Sequence, residues 1–298
     1  MDWEARLQEY YAPRQAQVNA ALQRYLSDKP PLPRLLPEAM AYAATSPGKR
    51  LRPILCIAAA ESVGSTAESV MPTACALELI HAFSLVHDDL PAMDNDHLRR
   101  GQPTVWYKYG EAMAILVGDA LFAKAFELLT EQAQHSRPER VVQAIQCIAT
   151  AAGVHGMCGG QVEDILCEGQ AVSEEQLRFV HTHKTGALIR ASVLSGALLG
   201  GADTAQLTAL DAYSRALGLA FQITDDILDD TAPTEQIGKP AGSDRARHKA
   251  TYPALLGLEG ARAYAQQAMQ DALAALEGFD TRADPLRWIA IYAVERRQ

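Results

Sequence analysis

Apolar residues recur at three- and four-residue spacing through almost every segment of the chain. Alanine and leucine supply most of them, and β-branched runs are scarce, so the pattern predicts an all-α protein. Helices are expected over residues 3–27, 35–45, 51–64, 68–89, 110–133, 138–156, 173–200, 204–230, 248–277 and 281–296. Breakers fall between them at Pro30-Pro31-Leu32-Pro33, Ser46-Pro47-Gly48, Arg100-Gly101-Gln102-Pro103, Gly200-Gly201 and the Gly/Pro-rich stretch from Ile237 to Gly242. The segments around Ala74 to Val86 and Leu217 to Leu228 are apolar nearly all round, as helices at the centre of a bundle are.

Length and composition sharpen this reading. A chain of 298 residues with 48% hydrophobic content can bury a large core. No linker rich in Gly, Ser or Pro divides it, so residues 1–298 are expected to form one large helical bundle with a central cavity. The net charge of -9 offers no general attraction to nucleic acid. Five cysteines (Cys56, Cys75, Cys147, Cys158 and Cys167) form no C-x-x-C pair and no zinc spacing, which fits reduced thiols in a cytoplasmic protein. The N-terminus is charged from Asp2 onward without the apolar core of a signal peptide, and the other apolar stretches look too interrupted to span a bilayer.

Two aspartate-rich segments change the picture from fold to chemistry. Asp88-Asp89-Leu90-Pro91-Ala92-Met93-Asp94 and Asp225-Asp226-Ile227-Leu228-Asp229 each end or follow one of the two central helices. Asp225 and Asp229 are four residues apart, so on a helix both carboxylates share a face and repel each other. Cations between such carboxylates relieve that repulsion, and hard oxygen ligands of this kind suit Mg2+ bound together with phosphate. A solvated acidic helix end would explain either segment alone; two behind buried-looking helices point to a shared site. Pro91 interrupts the first helix, so Asp94 is expected to reach the site from a bent turn.

Basic residues accompany the acidic ones. Ser46-Pro47-Gly48-Lys49-Arg50-Leu51-Arg52-Pro53 places cations at a helix start, with Lys49 and Arg52 on one face, an arrangement that binds anions or makes a basic surface turn. Arg99-Arg100 follows the first acidic segment, either as salt-bridge partners or as anion ligands. His81 stands nearly in line with Asp88, seven residues on, and reads as a core histidine that also faces the cavity. Lys184, in His183-Lys184-Thr185-Gly186, is either a snorkelling surface residue or a phosphate contact. The glycines of Gly156-Met157-Cys158-Gly159-Gly160 allow close backbone approach, and Gln161 and Asp164 share a helical face. Lys239 sits in a Gly/Pro-rich loop and Lys249 begins the next predicted helix, together a mobile lid or an ordinary loop.

Ser84 to Asp94, Gly48 to Pro53, Arg99-Arg100-Gly101, His183 to Gly186 and Phe221 to Asp229 together resemble the trans-isoprenyl diphosphate synthases, in particular the bacterial farnesyl diphosphate synthases. Five motifs in register, followed by Lys249-Ala250-Thr251-Tyr252-Pro253, cover essentially the whole chain. The resemblance implies a prenyltransferase that joins an allylic diphosphate, dimethylallyl or geranyl, head-to-tail to isopentenyl diphosphate. It implies Mg2+, three ions per active site with Mn2+ as the alternative, on Asp88, Asp89, Asp94, Asp225 and Asp229. Lys49, Arg52, His81 and Arg100 match positions that hold isopentenyl diphosphate; Arg99, Lys184 and Lys239 match allylic diphosphate ligands, and Lys249 falls in the tract that continues the match. Thr185 and Gln222 match groups near the developing allylic cation. The family also implies a homodimer.

The growing product should extend between helices away from the metals. Residues one turn before Asp88, ~6 to 8 Å along the axis, would then form the cavity floor. Phe83 and Ser84 occupy those positions, and with the inserted Pro91-Ala92 they resemble the pattern that stops at fifteen carbons, with geranyl and geranylgeranyl diphosphate as the alternatives. Asn95, Ser46-Pro47 and Thr224 depart from the family pattern without removing a metal ligand. Other readings fit less well. A class I terpene cyclase would mix Asn, Ser or Thr with Glu in its second metal motif. A head-to-head synthase would not need the Lys49 to Arg52 tract, and a non-catalytic partner subunit would be expected to have lost aspartates or Arg99-Arg100.

Overall fold

The structure, a computed structural model, describes residues 3–27, 32–170, 172–231 and 251–296. Lys239 and Lys249 lie outside the described residues. The helices are α1 (Trp3–Tyr25), α2 (Leu35–Thr45), α3 (Leu51–Ser62), α4 (Ala67–Asp88), α5 (Val105–Tyr109), α6 (Glu111–Glu131), α7 (Pro138–Ala152), α8 (Met157–Cys167), α9 (Glu174–Val180), α10 (Ala187–Gly200), α11 (Thr204–Thr231), α12 (Tyr252–Ala275) and α13 (Asp284–Glu295). Among the described residues the only strands are a two-residue hairpin, β1 (Leu98–Arg99) with β2 (Gln102–Pro103). The fold is all-α, as the apolar periodicity predicts.

Three refinements separate the observed elements from the expected ones. The expected helix over 173–200 is α9, a π-helical turn at His181–Gly186, and α10. A capping box starts it: the Ser173 hydroxyl accepts from the Gln176 amide while the Gln176 side chain accepts from Ser173. The expected helix over 138–156 stops at Ala152, and a separate α8 follows from Met157. Finally, a hairpin and α5 fill the stretch before α6, fixed by the Thr104 hydroxyl and the Trp106 indole, which both donate to the Asp96 carbonyl at 2.8 and 2.9 Å.

Helix α4 is the hub. Its buried Leu77, Leu79 and Ile80 join Leu22 of α1, Leu121 and Leu128 of α6 and Ile148 of α7 in the largest hydrophobic cluster. A second cluster unites Ile54 and Leu55 of α3 with Val193 of α10, Tyr213 and Leu217 of α11 and Leu286 of α13. A third, around Leu177, Ile223 and Tyr252, closes the junction of α9, α11 and α12. Each fully buried Leu or Ile contributes about 1.5–3 kcal/mol over an exposed one, so Leu77, Leu79 and Ile80 anchor α4 and Leu210, Leu217 and Ile223 anchor α11. These are the two helices that carry the aspartates.

The expectation that every apolar stretch is too interrupted to span a bilayer needs correction. Ala67–Asp88 and Pro138–Cys167 are both long and apolar enough by length and composition. The first is α4 itself, with 67% of its most apolar window buried inside the protein, and the second contains the break between α7 and α8.

Candidate active site

The first acidic segment is shaped by the end of α4. Beyond Asp88 the chain folds back through Pro91, and the Asp94 amide donates to the Asp88 carbonyl at 2.8 Å. Asn95 then adopts a left-handed conformation with φ 54°, and its amide donates to the Leu90 carbonyl at 3.0 Å. This tight turn brings Asp94 back beside Asp88, both half-buried. Asp89 is placed differently from its neighbours. It is buried and accepts two hydrogen bonds from the Arg99 guanidinium, at 2.8 and 2.6 Å. Burial pushes its carboxyl up to about 6 against the pull of Arg99.

The second acidic segment lies in the last two turns of α11. Gln222, Asp225 and Asp229 follow i, i+3, i+7 spacing and share a face. Asp226 is buried and accepts from the Tyr252 amide at 3.0 Å, so it anchors the first turn of α12. Asp225 is paired with Arg296, whose guanidinium stacks 4.0 Å over the Phe221 ring and donates to the Phe221 carbonyl at 3.2 Å. Sequence reasoning missed Arg296; nothing in Glu295-Arg296-Arg297 distinguishes it from an ordinary charged terminus.

The basic residues gather on the adjoining side. A cleft, open at its mouth, is lined by Ser46, Arg50, Glu78, His81, Arg99 and Arg100 among others. Arg100 has a left-handed backbone, φ 52°, and its guanidinium donates to the Pro47 carbonyl at 2.7 Å. It occupies the space above Gly48, where a Cβ would lie 2.3 Å from the guanidinium nitrogen. Arg52 is half-buried, but its Nε is shut off from solvent and has no hydrogen-bond partner among the described residues. Burial lowers the Arg52 guanidinium to about 10, opposed by the charges of Glu78 and Asp225 and assisted by Arg100. His81 is held well below the ordinary histidine range by burial and then by Arg52, Arg100, Arg99 and Arg50. Lys49 is exposed, its ammonium 5.7 Å from the centre of the Tyr292 ring. Arg50, the third cation of the tract, is turned inward and paired with Glu78 at 2.8 Å.

Lys184 and Thr185 sit in the π turn, where an extra residue alters side-chain direction within an otherwise regular helix, a device common at functional sites. Lys184 donates to Asp164 of α8 at 2.6 Å, which resolves it as a paired, half-buried cation. The approach of α8 requires Gly160: a Cβ there would stand 2.2 Å from the Lys184 amide nitrogen. Gln161, one residue on, has a buried side-chain oxygen without a partner among the described residues. Thr185 and Gln222 are both half-buried.

Behind Asp88, Phe83 meets Phe122 of α6 edge-on at 4.9 Å, and Phe122 in turn meets Phe126 at 5.2 Å. The two α6 aromatics extend a row of rings from Phe83, one of the two positions the sequence identified with Ser84. Ser84 turns its hydroxyl onto the His81 carbonyl of its own helix at 2.9 Å.

Among the described residues no three His, Cys, Asp or Glu side chains cluster closely enough to hold a metal ion unaided. The arrangement is instead of acidic helix ends bordered by cations, Arg52, Arg99 and Lys184 half-buried and Arg100 exposed, suited to an anion that is bound from both sides. A family described as polyprenyl synthetase matches residues 33–284. The chain is 47% identical over 289 residues to a chloroplastic geranylgeranyl pyrophosphate synthase of Capsicum annuum, covering 96% of this chain and 78% of the relative. It is 49% identical over 246 residues to a farnesyl diphosphate synthase of Geobacillus stearothermophilus, covering 82% of each. The fold matches the crystal structure of an FPP/GFPP synthase from Zymomonas mobilis with a TM-score of 0.85 and 39% identity, over 98% of this chain and 99% of the other. The chain belongs to the polyprenyl synthetase family of trans-prenyltransferases.

Proposed function

We propose that the protein condenses isopentenyl diphosphate head-to-tail with dimethylallyl and then geranyl diphosphate, releasing farnesyl diphosphate. The observation that carries this reading is Arg52, half-buried with a buried, unpartnered Nε, grouped with His81 and Arg100 beside the acidic ends of α4 and α11. A buried guanidinium nitrogen without a partner is costly, and a diphosphate oxygen would satisfy it. Lys49, at the mouth of the same tract, would draw the diphosphate in.

The carboxylates fit Mg2+ by their chemistry. They are hard oxygen donors offered in small sets from two helix ends, and Mg2+ favours one or two carboxylates completed by substrate phosphates over an all-protein cage. Asp88 and Asp94, Asp225 and Asp229 would hold it, with Asp89 orienting Arg99 beside them. Bound there, Mg2+ would neutralise the allylic diphosphate as it leaves. Arg99 and Lys184 would add positive charge on the same side, and Thr185 and Gln222 would offer polar atoms to the developing allylic cation. The apolar interior keeps water from that cation. Arg52, His81 and Arg100 hold the isopentenyl double bond in line for attack, and orientation supplies much of the rate. The proton lost at the end passes to the departed diphosphate.

Fifteen carbons is the product length favoured by the aromatic wall of Phe83, Phe122 and Phe126. A homodimer is supported by the apolar side chains that α6 leaves exposed, Ile115 and Leu116. A cytoplasmic location is supported by five free thiols. The test is incubation with Mg2+, isopentenyl diphosphate and either dimethylallyl or geranyl diphosphate, followed by product sizing. Farnesyl diphosphate from both starters is the expected result. A product of ten or twenty carbons would overturn the chain-length reading alone, and no condensation from a folded protein would overturn the reaction.

A further inference from the structure

Tyr11, Gln15 and Asn19 recur every fourth residue along α1 and therefore project from one face. Each is bonded to a different member of the three-residue loop that enters α3. The Tyr11 hydroxyl donates to the Lys49 carbonyl at 2.6 Å, the Gln15 amide donates to the Gly48 carbonyl at 2.9 Å, and the Asn19 side-chain oxygen accepts from Arg50 Nε at 2.8 Å. Three successive turns of one helix thus hold three consecutive loop residues.

The geometry of the peptide unit gives this ladder a consequence. In a trans peptide the C=O and the following N–H point in opposite directions. Drawing the Gly48 and Lys49 carbonyls onto α1 therefore turns the N–H groups of Lys49 and Arg50 away from it. It also keeps two carbonyl dipoles from facing an incoming anion. The loop so fixed leads directly into the turn of α3 that carries Arg52, and Arg100 packs over its Gly48. Arg50, in the left-handed conformation with φ 55°, locks the exit by its buried pair with Glu78.

We propose that Tyr11 and Gln15 are positioning residues for the isopentenyl diphosphate half of the site, acting through the Gly48–Lys49 backbone. The inference rests on the reading of Lys49 and Arg52 as ligands of that substrate. It assigns α1 a role in substrate affinity beyond its packing in the bundle. The acidic segments of α4 and α11 are held by other contacts, so the effect should be confined to one substrate.

The test uses Tyr11→Phe, Gln15→Met and the double variant, each removing a donor while keeping bulk. Rates are measured with isopentenyl diphosphate varied at saturating geranyl diphosphate, and the reverse, with thermal unfolding alongside. Each single variant should raise KM for isopentenyl diphosphate about threefold and the double about tenfold, as loss of one and two ordinary hydrogen bonds implies. KM for geranyl diphosphate and kcat should stay within about twofold. Arg52→Met serves as the reference for the underlying reading. If Arg52→Met raises KM for isopentenyl diphosphate and the double variant does not, the inference fails while the reading stands. If both KM values rise together with a lower unfolding temperature, α1 is merely structural and the inference fails. If Arg52→Met leaves that KM unchanged, the reading itself fails and takes the inference with it.

Discussion

Arg50 donates to Glu78 at 2.8 Å with both side chains about 5% exposed or less, joining the entry of α3 to the middle of α4. The pair also engages Asn19 and the Ser46 carbonyl through the same guanidinium, so its desolvation is well compensated. Removing one partner strands a buried charge, which costs about 3–5 kcal/mol, whereas replacing both with apolar groups costs far less. Glu78→Ala should therefore lower stability in chemical denaturation by that amount, and Arg50→Met/Glu78→Leu should lie closer to the unaltered protein. A double variant no more stable than Glu78→Ala would mean that the loss comes from the missing polar contacts themselves and not from a stranded charge.

His181 gives the protein an acid-sensitive joint. Burial lowers its imidazole to about 4, with Lys184 adding to the effect and Asp164 opposing it, and its Nδ1 is buried without a partner among the described residues. Asp226 stands 3.9 Å from the ring and accepts from the Tyr252 amide. The unfolded chain protonates near 6.5 and the folded one near 4; between these values the unfolded state binds more protons. Stability should thus fall as pH drops through that window, by up to about 3 kcal/mol from this group. His181→Leu should flatten the fall between pH 6.5 and 4 relative to the unaltered chain. Parallel curves for the two proteins would remove His181 as the cause.

What the sequence revealed and what it hid divide along contact distance. Helical spacing is a local property, so α1 through α4, α6 and α11 were legible, and so were the aspartates that the ends of α4 and α11 carry. The π turn was not, because His181-Thr182-His183-Lys184-Thr185-Gly186 keeps a helical composition while changing the hydrogen-bond register by one residue. Arg50 stood beside Lys49 and Arg52 as an equal cation, and only the packing of α3 on α4 turned it inward. The bonds from Arg296 to Asp225 and from Tyr11 to Lys49 join residues 71 and 38 positions apart, separations on which periodicity is silent.

Gly160 tests the close approach of α8 to the π turn. A Cβ at this position would lie 2.2 Å from the Lys184 amide nitrogen and 2.7 Å from its Cα, backbone atoms that cannot swing aside. Gly160→Ala should cost about 1–3 kcal/mol and lower kcat by displacing Lys184 and Thr185. Gly278→Ala, where a Cβ meets nothing within 4 Å, should leave both stability and turnover nearly unchanged. Equal behaviour of the two variants, read by thermal unfolding and initial rates, would show that the turn adjusts without loss.

Phe83 sets the depth available to the growing chain if the aromatic wall terminates it. Its ring packs edge-on against Phe122 at 4.9 Å and against His87 at 5.5 Å, so it is braced on two sides and cannot simply rotate away. Truncation to Ala removes a ring of about the carbon count of one isoprene unit from the space between α4 and α6. Neighbouring side chains relax only partly into such a gap, so most of the volume stays open. Phe83→Ala should shift the main product by one five-carbon unit, from farnesyl to geranylgeranyl diphosphate, with the first condensation rate within a few-fold. Phe122→Ala should act in the same direction and more weakly, since that ring lies behind Phe83 on the neighbouring helix. Product sizing from geranyl diphosphate reads both variants. An unchanged length in Phe83→Ala would show that the chain stops against side chains on other helices, leaving the condensation chemistry as argued.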